Sequence, residues 1–156
     1  MTAVKAARPK QDERRPAGAP NPSRPEIERS KIATRIVLVV EDHPIIRMGA
    51  IQLIEEAGYE VVEAANADEA IVVLEARPDI HLMFTDIEMP GSLDGLKLAH
   101  YVRHRWPPVL LIVVSGKKLL DDSQLPKGAR FFAKPYDDST IVETMRDMFA
   151  VLDTAA

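Results

Sequence analysis

A chain of 156 residues with 46% hydrophobic and 28% charged side chains fits one soluble globular domain, long enough to bury about two-thirds of its unfolded surface. Cysteine is absent, which excludes disulfides, thiolate metal sites and cysteine nucleophiles, and no apolar run approaches the roughly 20 residues of a membrane helix. The formal charge of −4 hides an asymmetry: residues 1–31 carry eight Lys/Arg against four Asp/Glu, the remainder twelve against twenty, and so acidic a body argues against nucleic acid as the main partner.

The first 33 residues, with Pro9, Pro16, Pro20, Pro22 and Pro25 and few large apolar side chains, read as a disordered basic tail. Charges and prolines stand where an export signal would have its apolar core, so the expected location is cytoplasmic. From residue 34 to about 153 strand and helix patterns alternate. Ile36–Val40 is β-branched and apolar throughout, as a strand buried on both faces should be. Pro44 opens a helix capped by Asp42 or His43, with Ile46, Ala50, Leu53 and Ala57 on one face and Gly58 at its end. Tyr59–Glu63 reads as a short strand. Asn66 and Glu69 form a capping-box start for a helix to about Ala76, with Pro78 beyond it.

Ile80–Thr85 is the third strand. Asp94 caps a helix with Leu96, Ala99 and Val102 at helical spacing, halted by Pro107-Pro108. Val109–Val114 and Arg130–Ala133 complete the strands. Asp137 caps a last helix carrying Ile141, Met145, Met148 and Leu152 on one side. Between residues 117 and 128 an acidic pair and Pro126 interrupt any apolar period, which predicts at most a short helix or turn, and mobility.

Four of the apolar runs close on a polar group: Glu41-Asp42, Asp86, Ser115 and Lys134. On one parallel sheet these groups would gather along the carboxyl edge, where open α/β sheets place their sites. Three carboxylates, a hydroxyl and an amine form a kit for metal-assisted phosphoryl transfer. Asp86 is the candidate nucleophile, since a carboxylate attacking phosphorus gives an acyl phosphate. Clustered carboxylates repel one another unless a cation lies among them, so the cluster implies a metal; Mg²⁺ suits oxygens that leave it several waters, and Mn²⁺ would satisfy the same set. Each residue also has a plainer reading: Asp42 as a helix cap, Asp86 as turn chemistry before Pro90-Gly91, Ser115-Gly116 as a loop pair. Their joint order, each at the tip of its own strand, outweighs those readings.

In that order the chain resembles the receiver domain of two-component response regulators. The matching stretches are Val37–Pro44, Phe84–Pro90 with Asp94-Gly95, Val114–Gly116 and Phe132–Tyr136, and the 44-residue step from Asp42 to Asp86 is similar to the family's spacing. The resemblance implies a flavodoxin-like, doubly wound five-stranded parallel sheet of order 2-1-3-4-5, here with a shortened or irregular fourth helix. It implies Asp86 as phosphoacceptor from a sensor histidine kinase. Asp42 and Asp86 would ligate Mg²⁺, Glu41 through water and Glu88 through its backbone carbonyl. Ser115 and Lys134 would sense the phosphoryl group, Phe131 would occupy the aromatic switch position, and Lys134-Pro135 would be cis.

Three departures bear on output. The loop from Met89 to Gly95 is one residue longer than in the commonest receivers, the fourth-helix region is short and polar, and Phe131 lacks a tyrosine hydroxyl. About twenty residues follow Lys134, so the expectation is a stand-alone receiver whose output is contact with a downstream protein, with a homodimer left open. It is expected to be no enzyme beyond its own phosphorylation and dephosphorylation. The rival reading is a Mg²⁺-dependent phosphatase or phosphotransferase with an aspartyl nucleophile, for which no cap-sized segment exists. A flavin site is disfavoured, because Glu41-Asp42 after the first strand would repel phosphate.

Overall fold

The computed structural model describes residues 34–117 and 121–155. The segment 1–33, expected to be a disordered tail, lies outside the described residues, as does 118–120 of the weakly patterned stretch. Among the described residues there are five strands, β1 Ile36–Val40, β2 Glu60–Ala64, β3 Leu82–Asp86, β4 Leu110–Ser115 and β5 Arg130–Ala133. The helices are α1 Pro44–Glu56, α2 Ala67–Ala76, α3 Gly95–Arg105 and α4 Asp138–Ala155. All strand pairs are parallel and the order is β2-β1-β3-β4-β5, as expected from the sequence.

The near-continuous apolar character of β1, β3 and β4 follows from having helices on both faces, while the edge strands β2 and β5 carry exposed Glu60, Glu63 and Arg130. Alternation sorts their side chains into two layers. Val37, Val39, Leu82, Phe84, Ile112 and Val114 pack with Ala50 and Ile54 of α1 and Ile141 and Met145 of α4. Leu38, Val40, Met83, Leu111 and Val113 pack with Ala70 and Leu74 of α2 and Leu98 and Val102 of α3. Each Leu or Ile fully buried in these layers contributes roughly 1.5–3 kcal/mol.

Local chemistry sets the helix ends. His43 caps α1 with Pro44 in its first turn, and Gly58, at φ 102°, follows its end in a left-handed conformation that favours glycine. The Asn66 side chain accepts from the Glu69 amide at 2.9 Å. Glu69 reaches back to the Ala65 amide at 2.8 Å, one residue earlier than a reciprocal capping box requires. Asp94 accepts from the Lys97 amide at 2.8 Å and starts α3. One expected face differs: the buried seam of α1 is Ala50 and Ile54, while Ile46 is 43% exposed. Ile46 lies in the first turn of α1 and lines an open groove with Lys134, Pro135 and Tyr136 instead.

The β4-to-β5 connection carries only a 3₁₀ turn, Asp122–Gln124, among its described residues. It is held to α3 by polar side chains. His100 Nε2 donates to the Gln124 carbonyl at 2.6 Å. Arg103 donates to the carbonyls of Lys127 at 2.9 Å, Pro107 at 2.6 Å and Val109 at 2.9 Å.

Candidate functional site

Sheet register builds the site. Val40 pairs with Thr85, so Glu41 and Asp86 follow side by side. Asp86 pairs with Val114, leaving Ser115 one step beyond, and Ser115 pairs with Ala133, which brings Lys134 next. The Lys134 amide donates to the Ser115 carbonyl at 2.8 Å, and Lys134-Pro135 is cis. The backbone under Asp86 is pinned from below by α3: a Cβ on Gly95 would lie 1.7 Å from the Asp86 carbonyl oxygen, so only glycine permits this approach.

The acid groups converge. Asp86 is 3% exposed and Glu41 5%, Asp42 is half-buried, and one carboxylate oxygen from each lies within 4.8 Å of the others. Lys134 Nζ lies 2.8 Å from Asp86 Oδ1 and 3.4 Å from Glu41 Oε1. The ammonium pairs with the buried Asp86 Oδ1, which has no other hydrogen-bond donor among the described residues. Glu41 is oriented by the His43 amide, which donates to its Oε2 at 3.1 Å. Arg47 braces the turn, donating to the Glu41 carbonyl at 2.8 Å and to Glu63 Oε1 at 2.8 Å.

Burial pushes the Asp86 carboxyl up to about 6; Lys134 pulls it down, and the charges of Glu41 and Glu88 push it further up. Burial lowers the Lys134 ammonium, but Asp86 and Glu41 outweigh it and hold the group above its ordinary range. One amine therefore faces more negative charge than it can neutralise. Three convergent carboxylates that share a single ammonium fit a hard divalent cation.

On the other side of Asp86, the Ser115 hydroxyl donates to Glu88 Oε2, and the Gly116 amide donates to Glu88 Oε1 at 3.0 Å. Lys117 N–H in turn donates to Ser115 Oγ at 3.0 Å. The receiver resemblance pointed to Glu88 through its backbone carbonyl, and the rival phosphatase reading to its carboxylate as an acid/base; its side chain's hold on Ser115 and Gly116 was not foreseen. The spacing carries no signal of it beyond a side chain long enough to reach β4. A cleft of about 520 Å³ opens here, lined by Glu88, Met89, Pro90, Asp94, Ser115 and Lys117.

Phe131, expected as an aromatic switch, is half-buried with Leu125 and Ala129 against the α2/α3 layer and is not part of the acidic cluster. Beside the site a groove of about 400 Å³ is lined by Ile46, Lys134, Pro135 and Tyr136, with Tyr136 edge-on to Phe84 at 6.0 Å. The exposed Ile46 belongs to this rim.

The sheet order and this edge define a doubly wound α/β protein with an acidic, amine-bearing pocket at the strand tips. A family model described as the response regulator receiver domain matches residues 37–146, and the chain belongs to that family. The sensor kinase CckA of Brucella abortus (strain 2308) is 32% identical over 123 residues, 75% of this chain and 13% of that kinase. The response regulator receiver protein CpdR of the same organism is 30% identical over 115 residues, 72% of this chain and 94% of that protein. A solved CheY-like response regulator receiver domain protein from Methanospirillum hungatei JF-1 superposes with TM-score 0.72 at 26% identity, covering 80% of this chain and 100% of that one. The chain thus spans only a small part of CckA and nearly all of CpdR. No helix among the described residues is long and apolar enough to cross a membrane.

Proposed function

We propose that this chain is a phosphorylation-operated receiver in which Asp86 takes a phosphoryl group from a histidine kinase in a Mg²⁺-dependent reaction, and that the phosphorylated form signals by contact with another protein. The observation that carries this reading is the meeting of Glu41, Asp42, Asp86 and Lys134 at one sheet edge within a receiver-family chain. An Asp86 oxygen attacks phosphorus and forms the O–P bond. The P–N bond to the donor imidazole breaks, and its electron pair stays on the ring nitrogen. Asp42 and Asp86 would hold the metal directly, Glu41 through water and Glu88 through its backbone carbonyl. Bound Mg²⁺, or Mn²⁺ on the same oxygens, supplies positive charge for the transferring group. Lys134 pairs with one phosphoryl oxygen and Ser115 donates to another.

The groove beside Lys134 supports a partner that approaches along α1, where Ile45 and Met48 are also exposed. Phe131 and the polar β4-to-β5 connection are the elements proposed to carry the change to a downstream protein, in a cytoplasmic setting. The near full-length match to CpdR, a response regulator receiver protein, supports the receiver reading.

Incubation with acetyl phosphate and Mg²⁺ should add one phosphate per chain, seen in the intact mass, and Asp86→Asn should abolish it. Label persisting in that variant would refute the assignment. Continuous turnover of a simple phosphomonoester would instead indicate a phosphatase.

A further inference from the structure

Ser115 has a single hydroxyl hydrogen, and in this structure that hydrogen is already given away. The Glu88 carboxylate spans the tip of β4 as a fork: one oxygen takes the Ser115 hydroxyl and the other the Gly116 amide. Two neighbouring donors aimed at two oxygens of an anion is also the arrangement that a phosphoryl group on Asp86 would seek, since its oxygens carry negative charge and compete for the same donors. Both anions cannot hold the Ser115 hydrogen together.

We propose that the Glu88 side chain is a built-in placeholder for the phosphoryl group: it occupies the Ser115 and Gly116 donors at rest and is expelled from them when Asp86 is phosphorylated. This rests on the reading of Asp86 as phosphoacceptor. The exchange is between two charge-assisted sets of hydrogen bonds, so the donors are satisfied in both states and the balance between them is near even. The displaced carboxylate has somewhere to go, because Glu88 lines an open cleft whose wall also carries Lys117. Like-charge repulsion from the phosphoryl group favours that exit. Phosphorylation would therefore move a carboxylate from the tip of β4 to the rim of the site, a change of surface charge that a partner can read. Glu88 is on this account a positioning residue, acting through Ser115 and Gly116.

Two measurements test it. In the unphosphorylated protein, Glu88→Ala should speed hydrogen exchange at the Gly116 amide by roughly tenfold, the loss expected for a charge-assisted bond; unchanged exchange overturns the latch. With acetyl phosphate and Mg²⁺, Glu88→Ala should label Asp86 several-fold faster than wild type. That gain should shrink toward none when Ser115→Ala is present in both proteins of the comparison. An equal gain in both backgrounds would mean that Glu88 acts by charge alone, and no gain would mean that it does not compete; either result overturns the proposal. Glu88→Gln keeps the side chain's shape and should change labelling in the same direction by less, which covers a loss of folding in the alanine variant. Failure of wild type to label at Asp86 would instead strike the phosphoacceptor reading, and the Gly116 exchange result would still decide whether the latch exists.

Discussion

In the sheet's centre, β1 and β3 are buried along their whole length between apolar seams from α1 and α2, whereas the β4-to-β5 connection meets α3 through the polar side chains of His100 and Arg103 and adds Leu125 and Ala129, both only partly buried, to the edge of the core. The first kind of contact removes hundreds of square ångströms from water at about 25 cal/mol per Å². The second trades hydrogen bonds with water for hydrogen bonds with carbonyls, at about 1 kcal/mol net for each. The acidic half of the site, Glu41, Asp42 and Asp86, thus stands on the stiffer platform. Ser115 and Lys134 flank a connection tied to α3 largely by hydrogen bonds, with Leu125 and Ala129 packed at the edge of the core. A switch needs this division: fixed charges to hold the reacting groups, and a neighbour that can rearrange for a few kcal/mol.

The sharpest way to break the contrast is to hollow the stiff side. Ile54, fully buried between α1 and the sheet, should cost about 2–5 kcal/mol when changed to alanine, read from the urea midpoint at constant slope. A loss below 1 kcal/mol would mean that this half is no better packed than the other.

A second test titrates the platform's own charge in metal-free buffer. Burial pushes the Asp86 carboxyl up to about 6 in the fold, from 3.8 for an ordinary aspartate, so the folded state binds more protons between those limits. Unfolding free energy should therefore fall as pH rises through that window, with the penalty fully present at neutral pH and relieved in acid, by roughly 1–3 kcal/mol. Chemical denaturation of wild type and Asp86→Asn at intervals from pH 4 to 7 checks this: the variant should lack that component of the slope, and parallel curves would contradict it. Added Mg²⁺ should raise the melting temperature most above pH 6, where the carboxylate is free of its proton.

The smallest effect is expected on the other side. Arg103→Ala removes three carbonyl contacts, several of them near solvent, and should cost about 1–2 kcal/mol. Its mark should be local: faster amide exchange through residues 124–130, with β1 amides unchanged. Exchange accelerated equally everywhere would erase the distinction between the two regions.

The same division governed how much could be read from the sequence. The three central strands were legible because burial on both faces demands β-branched and aliphatic runs, whereas the strand order was implied only by the resemblance to receiver domains. Glu41, Asp42, Asp86, Ser115 and Lys134 were legible because each ends such a run, and parallel pairing turns five sequence positions into one edge. The helix face of α1 was read with Ile46 inside it, because periodicity tells which residues share a face and not what lies against each turn of it. The grip of Arg103 and His100 on the β4-to-β5 connection was illegible. Polar residues at helical spacing look alike whether they meet water or a carbonyl many positions away. The Glu88 carboxylate escaped for a related reason, since its destination depends on side-chain torsions in a loop.

The segment between Met89 and Gly95 is tied at both ends. Met89 is buried in the α2/α3 layer, and Gly95 presses on the Asp86 carbonyl with no room for a methyl group. An added residue therefore has only one direction in which to bulge, outward toward the start of α2, where Ser92 Oγ donates to Asp68 Oδ1 at 3.1 Å. A change of length at that spot would leave Asp86 in place, because the slack is taken up between two anchors that stay put.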